Sequence, residues 1–192
     1  ADGTDRTVTY DATSAMVTLV QAAGQADPAK NAAIRFTLSS DEALRSGSVT
    51  AADFEATNGT VASVAGSGDT YTITVTATAD GDVSLAPSGD FTVLDIAGNA
   101  TTTAGGTDRT VEYDATTPVI TLTQAATQAD PTLAPTITFT LSSSEPLAAS
   151  TVTAADITVG NATDVRVTGT GTTFTITATA TADGSVSIAP ST

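Results

Sequence analysis

Apolar and polar residues alternate along this chain with a period of two. Tyr71, Ile73, Val75 and Ala77 are interleaved with Thr70, Thr72, Thr74 and Thr76, and Phe174, Ile176 and Ala178 with Thr173, Thr175 and Thr177. Such a period sends successive side chains to opposite faces of an extended backbone, so each run predicts a strand with one buried face and one threonine face in water. The same pattern occurs at Val8 and Tyr10, Val17 and Leu19, Ile34, Phe36 and Leu38, and Val83 and Leu85, each run bounded by turn residues. Threonine is β-branched and stiff at χ1, which favours strand while keeping the outer face polar. Helical periodicity is missing, apart from a single turn expected at residues 50–53 and its counterpart at 153–156. Asn58-Gly59 reads as a turn between strands.

The pattern itself repeats. Gly3-Thr4-Asp5-Arg6-Thr7-Val8 recurs as Gly106-Thr107-Asp108-Arg109-Thr110-Val111, an offset of 103 residues that holds without a gap to the end of the sequence. Phe36-Thr37-Leu38-Ser39-Ser40 returns as Phe139-Thr140-Leu141-Ser142-Ser143, and Thr50-Ala51-Ala52-Asp53 as Thr153-Ala154-Ala155-Asp156. A period near 100 residues is a whole domain, not a solenoid turn, so each copy should fold around its own core. About seven short antiparallel strands in a unit of this size predict an all-β fold: tandem Greek-key β-sandwiches of the immunoglobulin type. The expected organisation is a last strand of a preceding repeat plus linker at 1–13, repeat 1 at 14–114, and repeat 2 at 115–192. Repeat 2 stops at the counterpart of Gly89 and lacks its final strand, while residues 4–11 duplicate the strand that closes repeat 1.

Composition narrows the function classes. Six basic against 21 acidic residues give a formal charge of −15, a balance that argues against a phosphate backbone as partner and so against nucleic acid. No apolar run approaches the roughly 20 residues of a membrane helix. Cysteine, histidine and tryptophan are absent, which removes disulfides, the commonest general base and zinc ligand, and the usual sugar-stacking ring. Nucleophilic catalysis has hydroxyls to draw on but a single lysine, Lys30, replaced by Leu133 in the second copy. Close carboxylate pairs of the glycosidase kind occur at Asp41-Glu42 and at Asp80 with Asp82, yet the second copy carries Ser144 and Ser185 at two of these positions. No enzymatic site is expected. Lys30 also raises a Lys–Asn cross-link, and Asn58, Asn99 and Asn161 begin Asn-x-Thr sequons. The bland readings are a solvated loop lysine and chance sequons.

Gln21-Ala22-Ala23-Gly24-Gln25-Ala26-Asp27-Pro28, the stretch Ser39 to Glu42 after the Phe36 strand, residues 50–54, Asp95-Ile96-Ala97-Gly98-Asn99 and Tyr10-Asp11-Ala12-Thr13 together resemble bacterial Ig-like repeats of giant surface adhesins and biofilm-associated proteins. The resemblance covers the whole chain. It implies extender repeats of a cell-surface adhesin or extracellular fibre, located outside the bacterial cell, whose partners are neighbouring repeats. Alternatives are a glycan- or protein-binding module, and a filament subunit assembled by head-to-tail strand donation between copies.

In such a sandwich the loops at one pole would gather Asp11, Asp41, Glu42, Asp53, Asp95 and Asn99 from repeat 1. The matching set in repeat 2 is Asp114, Glu145 and Asp156, with Asp27, Asp80 or Asp82 as further candidates. An all-oxygen set of this kind suits Ca²⁺ and does not suit softer metals. The competing expectation is that these Asp and Asn side chains cap turns through local hydrogen bonds.

Overall fold

The computed structural model describes residues 6–148 and 150–191, so Thr4 and Asp5 of the duplicated segment lie outside the described residues. The chain is all-β. It divides into two units, Ala1–Thr116 and Thr117–Thr192, a boundary two residues beyond the one expected. Among the described residues no helix is long and apolar enough to cross a membrane.

Unit 1 is a two-sheet sandwich. Its first sheet contains β1 (Val17–Gln21), β2 (Ala33–Leu44), β4 (Gly59–Ala77) and β8 (Ala104–Gly105) in the order β4-β2-β1-β8. The second contains β3 (Phe54–Thr57), β5 (Gly81–Pro87) and β9 (Thr110–Tyr113) in the order β3-β5-β9. A short ribbon of β6 (Val93–Leu94) and β7 (Ala100–Thr101) precedes β8. This distribution of strands over the two sheets is that of an immunoglobulin-type sandwich. β4 folds back on itself. Asn58 O accepts from Thr78 N, and a Cβ at Gly66, whose φ is +142°, would collide with the Thr70 carbonyl, so only glycine closes this hairpin.

The last part of unit 1 serves both sheets. β8 runs parallel to β1, with Val17 opposite Ala104, and β9 runs antiparallel to β5, with Val83 opposite Val111. Between them the chain crosses at Gly106 (φ +97°), where a side chain would strike the Leu19 carbonyl. Arg109 fastens the crossing by donating from Nε and Nη2 to Gly106 O at 2.8 and 2.5 Å.

The alternating pattern builds the core as expected. Leu19, Ile34, Phe36, Leu38, Ile73, Val75, Val83, Val93 and Val111 are all fully buried in one cluster, and the interleaved Thr70 and Thr76 are exposed. One expected strand does not form. Residues 6–16 belong to no strand, and Val8 and Tyr10 are 96% and 88% exposed, because alternation makes a strand only where a neighbouring strand supplies hydrogen bonds.

Unit 2 repeats part of this plan. β10 (Ile120–Gln124), β11 (Thr136–Leu147) and β13 (Ala162–Ala180) form one sheet, and β12 (Ile157–Gly160) pairs with β14 (Ser187–Pro190). Registers are conserved: Leu122 faces Leu141 and Phe139 faces Ile176, as Leu19 faces Leu38 and Phe36 faces Ile73. Its core is smaller, consisting of Phe139, Leu141, Ile157, Phe174 and Ile176, with Ile137, Val186 and Ile188 only partly buried. The single turns expected near residues 50 and 153 are 3₁₀ turns at Ala51–Asp53 and Ala154–Asp156.

Candidate cation site at one pole of unit 1

Three acidic residues from distant parts of the sequence meet in unit 1. Asp11, Glu42 and Asp95 each place one carboxylate oxygen within 4.8 Å of the others. Glu42 projects from the end of β2 and is not in a loop, as the sequence suggested. Asp95 follows β6 and is held by a bridge between Leu44 and Asp95 and by Arg45 N donating to Leu94 O at 2.7 Å. Asp11 sits in the segment ahead of β1, where its Oδ1 accepts from Thr13 N at 3.0 Å.

Asp95 is 1% exposed and is the pivot of the pole. Its Oδ1 accepts from Gly98 N at 2.6 Å and Asn99 N at 2.8 Å, closing the Asp95-Ile96-Ala97-Gly98-Asn99 turn on itself. Its Oδ2 accepts from Asn99 Nδ2 at 2.8 Å. The same Asn99 amide donates to Asp11 O at 3.3 Å and Thr13 O at 3.1 Å, and so ties the segment preceding β1 to the pole. Thr101 Oγ1 adds a bond to Ala15 O at 2.5 Å.

The charges at this pole are unequal in environment. Partial removal from water raises the Glu42 carboxyl above its ordinary value, and the neighbouring Asp11, Asp95 and Asp41 charges raise it further. For Asp95, burial also pushes upward, but the Asn99 side chain and the backbone amides of Asn99, Gly98 and Ala97 stabilise the anion and bring the group below its ordinary value. A crowd of anions, one of them fully provided with donors and another strained by its neighbours, is a place where a hard cation would gain attraction.

The other expected ligands have different work. Asp53 Oδ2 accepts from Thr50 N at 2.6 Å and Thr50 Oγ1 at 2.8 Å, a capping box around the 3₁₀ turn, and Asp156 does the same for Thr153 at 2.8 and 2.7 Å. Both belong to the turn-capping alternative. Thr153 holds the Asp156 carboxyl below its ordinary value, through its hydroxyl first and its N–H second. Asn99 enters through its nitrogen and not through a ligating oxygen. Asp41 Oδ1 accepts from Met16 N at 2.7 Å, and Ser144 Oγ accepts from Val119 N at 2.9 Å in unit 2, so the substitution noted in the sequence preserves a structural acceptor.

The second expected set does not assemble within either unit. Asp114 belongs to unit 1, where its Oδ1 accepts from Thr116 N at 3.0 Å, while Glu145 and Asp156 belong to unit 2. Asp80 accepts from the Thr116 hydroxyl and from Ala115 N, which lowers its carboxyl, and Asp27 Oδ1 accepts from Glu112 N at 2.9 Å.

Lys30 is exposed, which suits a solvated loop lysine. The sequon nitrogens are occupied: Asn58 Nδ2 donates to Ala79 O at 2.8 Å, Asn161 Nδ2 to Ala182 O at 3.0 Å, and Asn99 Nδ2 to the pole. What sequence reasoning missed is the tie from Asn99 to the segment preceding β1. Its only signal is the co-occurrence of the 10–13 and 95–99 motifs, whose contact depends on tertiary packing.

No protein-family model matches the chain, and no curated protein matches it.

Proposed function

We propose that this chain is a non-enzymatic structural extender, two sandwich modules of a bacterial cell-surface adhesin or extracellular fibre. The observation that carries this reading is the duplication of the module: at an offset of 103 residues the same strands recur in the same registers, with threonine outward in both. A module selected to hold other parts at a distance needs a core and a polar surface, and both copies invest their conserved positions there. A dedicated site for a sugar or a protein would be expected to set one copy apart by exposed aromatic residues. The copies do differ at exposed loop positions, Lys30 against Leu133 and Asp41 against Ser144 among them, but the exchange of Tyr71 for Phe174 lies at one buried position, and no aromatic side chain described at residues 14–191 is exposed.

Within this reading the Asp11, Glu42 and Asp95 pole is a site for Ca²⁺, where neutralising the crowded carboxylates would fix the segment preceding β1 against the sandwich. The donor set fits a hard cation, since every contributing atom is a carboxylate oxygen. The test is small-angle scattering of the intact chain together with glycan and cell-surface protein arrays. An extended particle with no specific capture is expected. Selective retention of one glycan or protein class would overturn the extender role in favour of a binding module.

A further inference from the structure

Asn58 joins β3 to β4 in the left-handed region, at φ +54°. Its side chain clips this turn to the chain beyond β4: Nδ2 donates to Ala79 O at 2.8 Å, and Oδ1 accepts from Thr78 Oγ1 at 3.1 Å. Asparagine suits the place because its short amide tolerates positive φ and reaches nearby backbone. The residue after it is constrained by packing. A Cβ on Gly59 would lie 2.6 Å from Val75 Cγ1 and 2.9 Å from Thr76 O, and Val75 is fully buried. Unit 2 builds the same clip from Asn161, at φ +57°, with Nδ2 donating to Ala182 O at 3.0 Å and Oδ1 accepting from Thr181 Oγ1 at 3.0 Å. There Ala162 follows the asparagine and Ala178 is the counterpart of Val75, so the smaller neighbour makes room for the extra methyl. Of the four asparagines in the chain, Asn58 alone precedes glycine; Asn31, Asn99 and Asn161 all precede alanine.

We propose that Asn58 is a site of spontaneous covalent modification, deamidation through a cyclic imide, and that the packing of Val75 imposes it on unit 1 alone. The Gly59 backbone nitrogen attacks Asn58 Cγ. A bond from that nitrogen to Cγ forms, the Cγ–Nδ2 bond breaks, and the amide nitrogen leaves as ammonia with the proton that Gly59 N gives up. Water then opens the ring. Opening at Cγ gives an aspartate; opening at the main-chain carbonyl gives an isoaspartate, whose backbone runs through Cγ and is one methylene longer. Glycine permits the attack because no Cβ crowds its nitrogen, whereas the methyl of Ala162 obstructs the same approach in unit 2. Since Thr78 and Ala79 hold both ends of the Asn58 amide, opening of the clip precedes the attack. The products do not rebuild it. Both lack the Nδ2 donor, so they leave Ala79 O without that bond and set a new carboxylate one turn from Asp80, and isoaspartate also shifts Gly59 from its fit against Val75. Modification therefore loosens the corner between β3 and β4 and leaves the matching corner of unit 2 intact.

The experiment holds the intact chain warm at mildly alkaline pH and follows ammonia release and peptide maps by mass spectrometry. Asn58 should convert roughly ten-fold faster than Asn161 in the same molecules. Converted chains, separated by their extra charge, should show an earlier melting of unit 1 and an unchanged unit 2. Thr78→Val frees Oδ1 and should raise the rate at Asn58 several-fold. Gly59→Ala with Val75→Ala transfers the arrangement of unit 2 and should bring Asn58 down to the rate of Asn161. Val75→Ala alone carries the same cavity but keeps the glycine, so it should not slow the reaction. Equal rates at Asn58 and Asn161 overturn the proposal, as does an Asn58 that keeps its amide in the folded chain through many half-lives of the urea-unfolded one.

Discussion

Val83 and Val111 stand opposite each other across β5 and β9, and neither exposes any surface to solvent. Val186 occupies the place of Val83 in unit 2 and is only partly buried. One side chain type at one repeat position therefore has two burial states: Val83 lies within β5 with Val111 of β9 opposite, whereas Val186 precedes β14 and belongs to no strand. Val83→Ala should destabilise unit 1 by about 2 kcal/mol, the lost methyl burial plus a cavity. Val186→Ala should cost unit 2 less than half of that. Thermal unfolding followed by a probe in each unit measures both, and equal losses would mean that Val186 is as well covered as Val83.

Tyr71 is 5% exposed, and its hydroxyl has no hydrogen-bond partner among the described residues. A buried hydroxyl without a partner keeps its desolvation cost, and unit 2 has Phe174 in the same position, opposite Leu141 as Tyr71 is opposite Leu38. Tyr71→Phe should thus stabilise unit 1 by about 1 kcal/mol. Denaturant unfolding with an unchanged m-value checks this, and a loss of stability would reveal a partner for the hydroxyl.

The strands and core were legible because burial follows a local rule: Ile34, Phe36 and Leu38 alternate with polar residues and all three end at 0% exposure. Val8 and Tyr10 obey the same rule and are exposed, since alternation specifies a face but not the neighbour that covers it. At the pole, Asp11, Glu42 and Asp95 were legible as acidic residues brought together by the topology. Asp53 carries the same charge, yet Thr50 captures it three residues away. Local hydrogen bonds compete with long-range gathering, and composition does not say which wins.

Acid titration should separate Glu42 from Asp95. The folded state raises Glu42 above 4.5, so it binds that proton more tightly than the unfolded chain does. Its contribution is fully present below the unfolded value and is lost as pH rises through the raised one. Asp95 is lowered from 3.8, so its contribution is present above that value and lost as pH falls through the lowered one. Glu42→Gln should remove the loss on the rising side, and Asp95→Asn should remove the dependence at the acid end while weakening the 95–99 turn. Melting temperature against pH for the three proteins provides the measurement; parallel curves would mean that neither environment differs between the folded and unfolded chain.

Calcium should act on unit 1 and be strongest where charges are crowded. Millimolar Ca²⁺, the range of extracellular sites, should raise the melting temperature of unit 1 by a few degrees through preferential binding to the folded pole. Chelator should reverse the gain. Glu42→Gln relieves the same repulsion without metal, so it should melt higher than the parent in chelator and respond little to Ca²⁺. Asp53→Asn is the control: it disturbs the Thr50 cap and lowers stability, but its carboxylate lies outside the 4.8 Å group, so its Ca²⁺ response should equal the parent's. Calorimetry adds a direct reading of uptake. If parent and Glu42→Gln respond alike, the three carboxylates do not hold the ion. If Asp53→Asn alone loses the response, the cation sits at the 3₁₀ turn, and the capping role assigned to Asp53 is the part that fails.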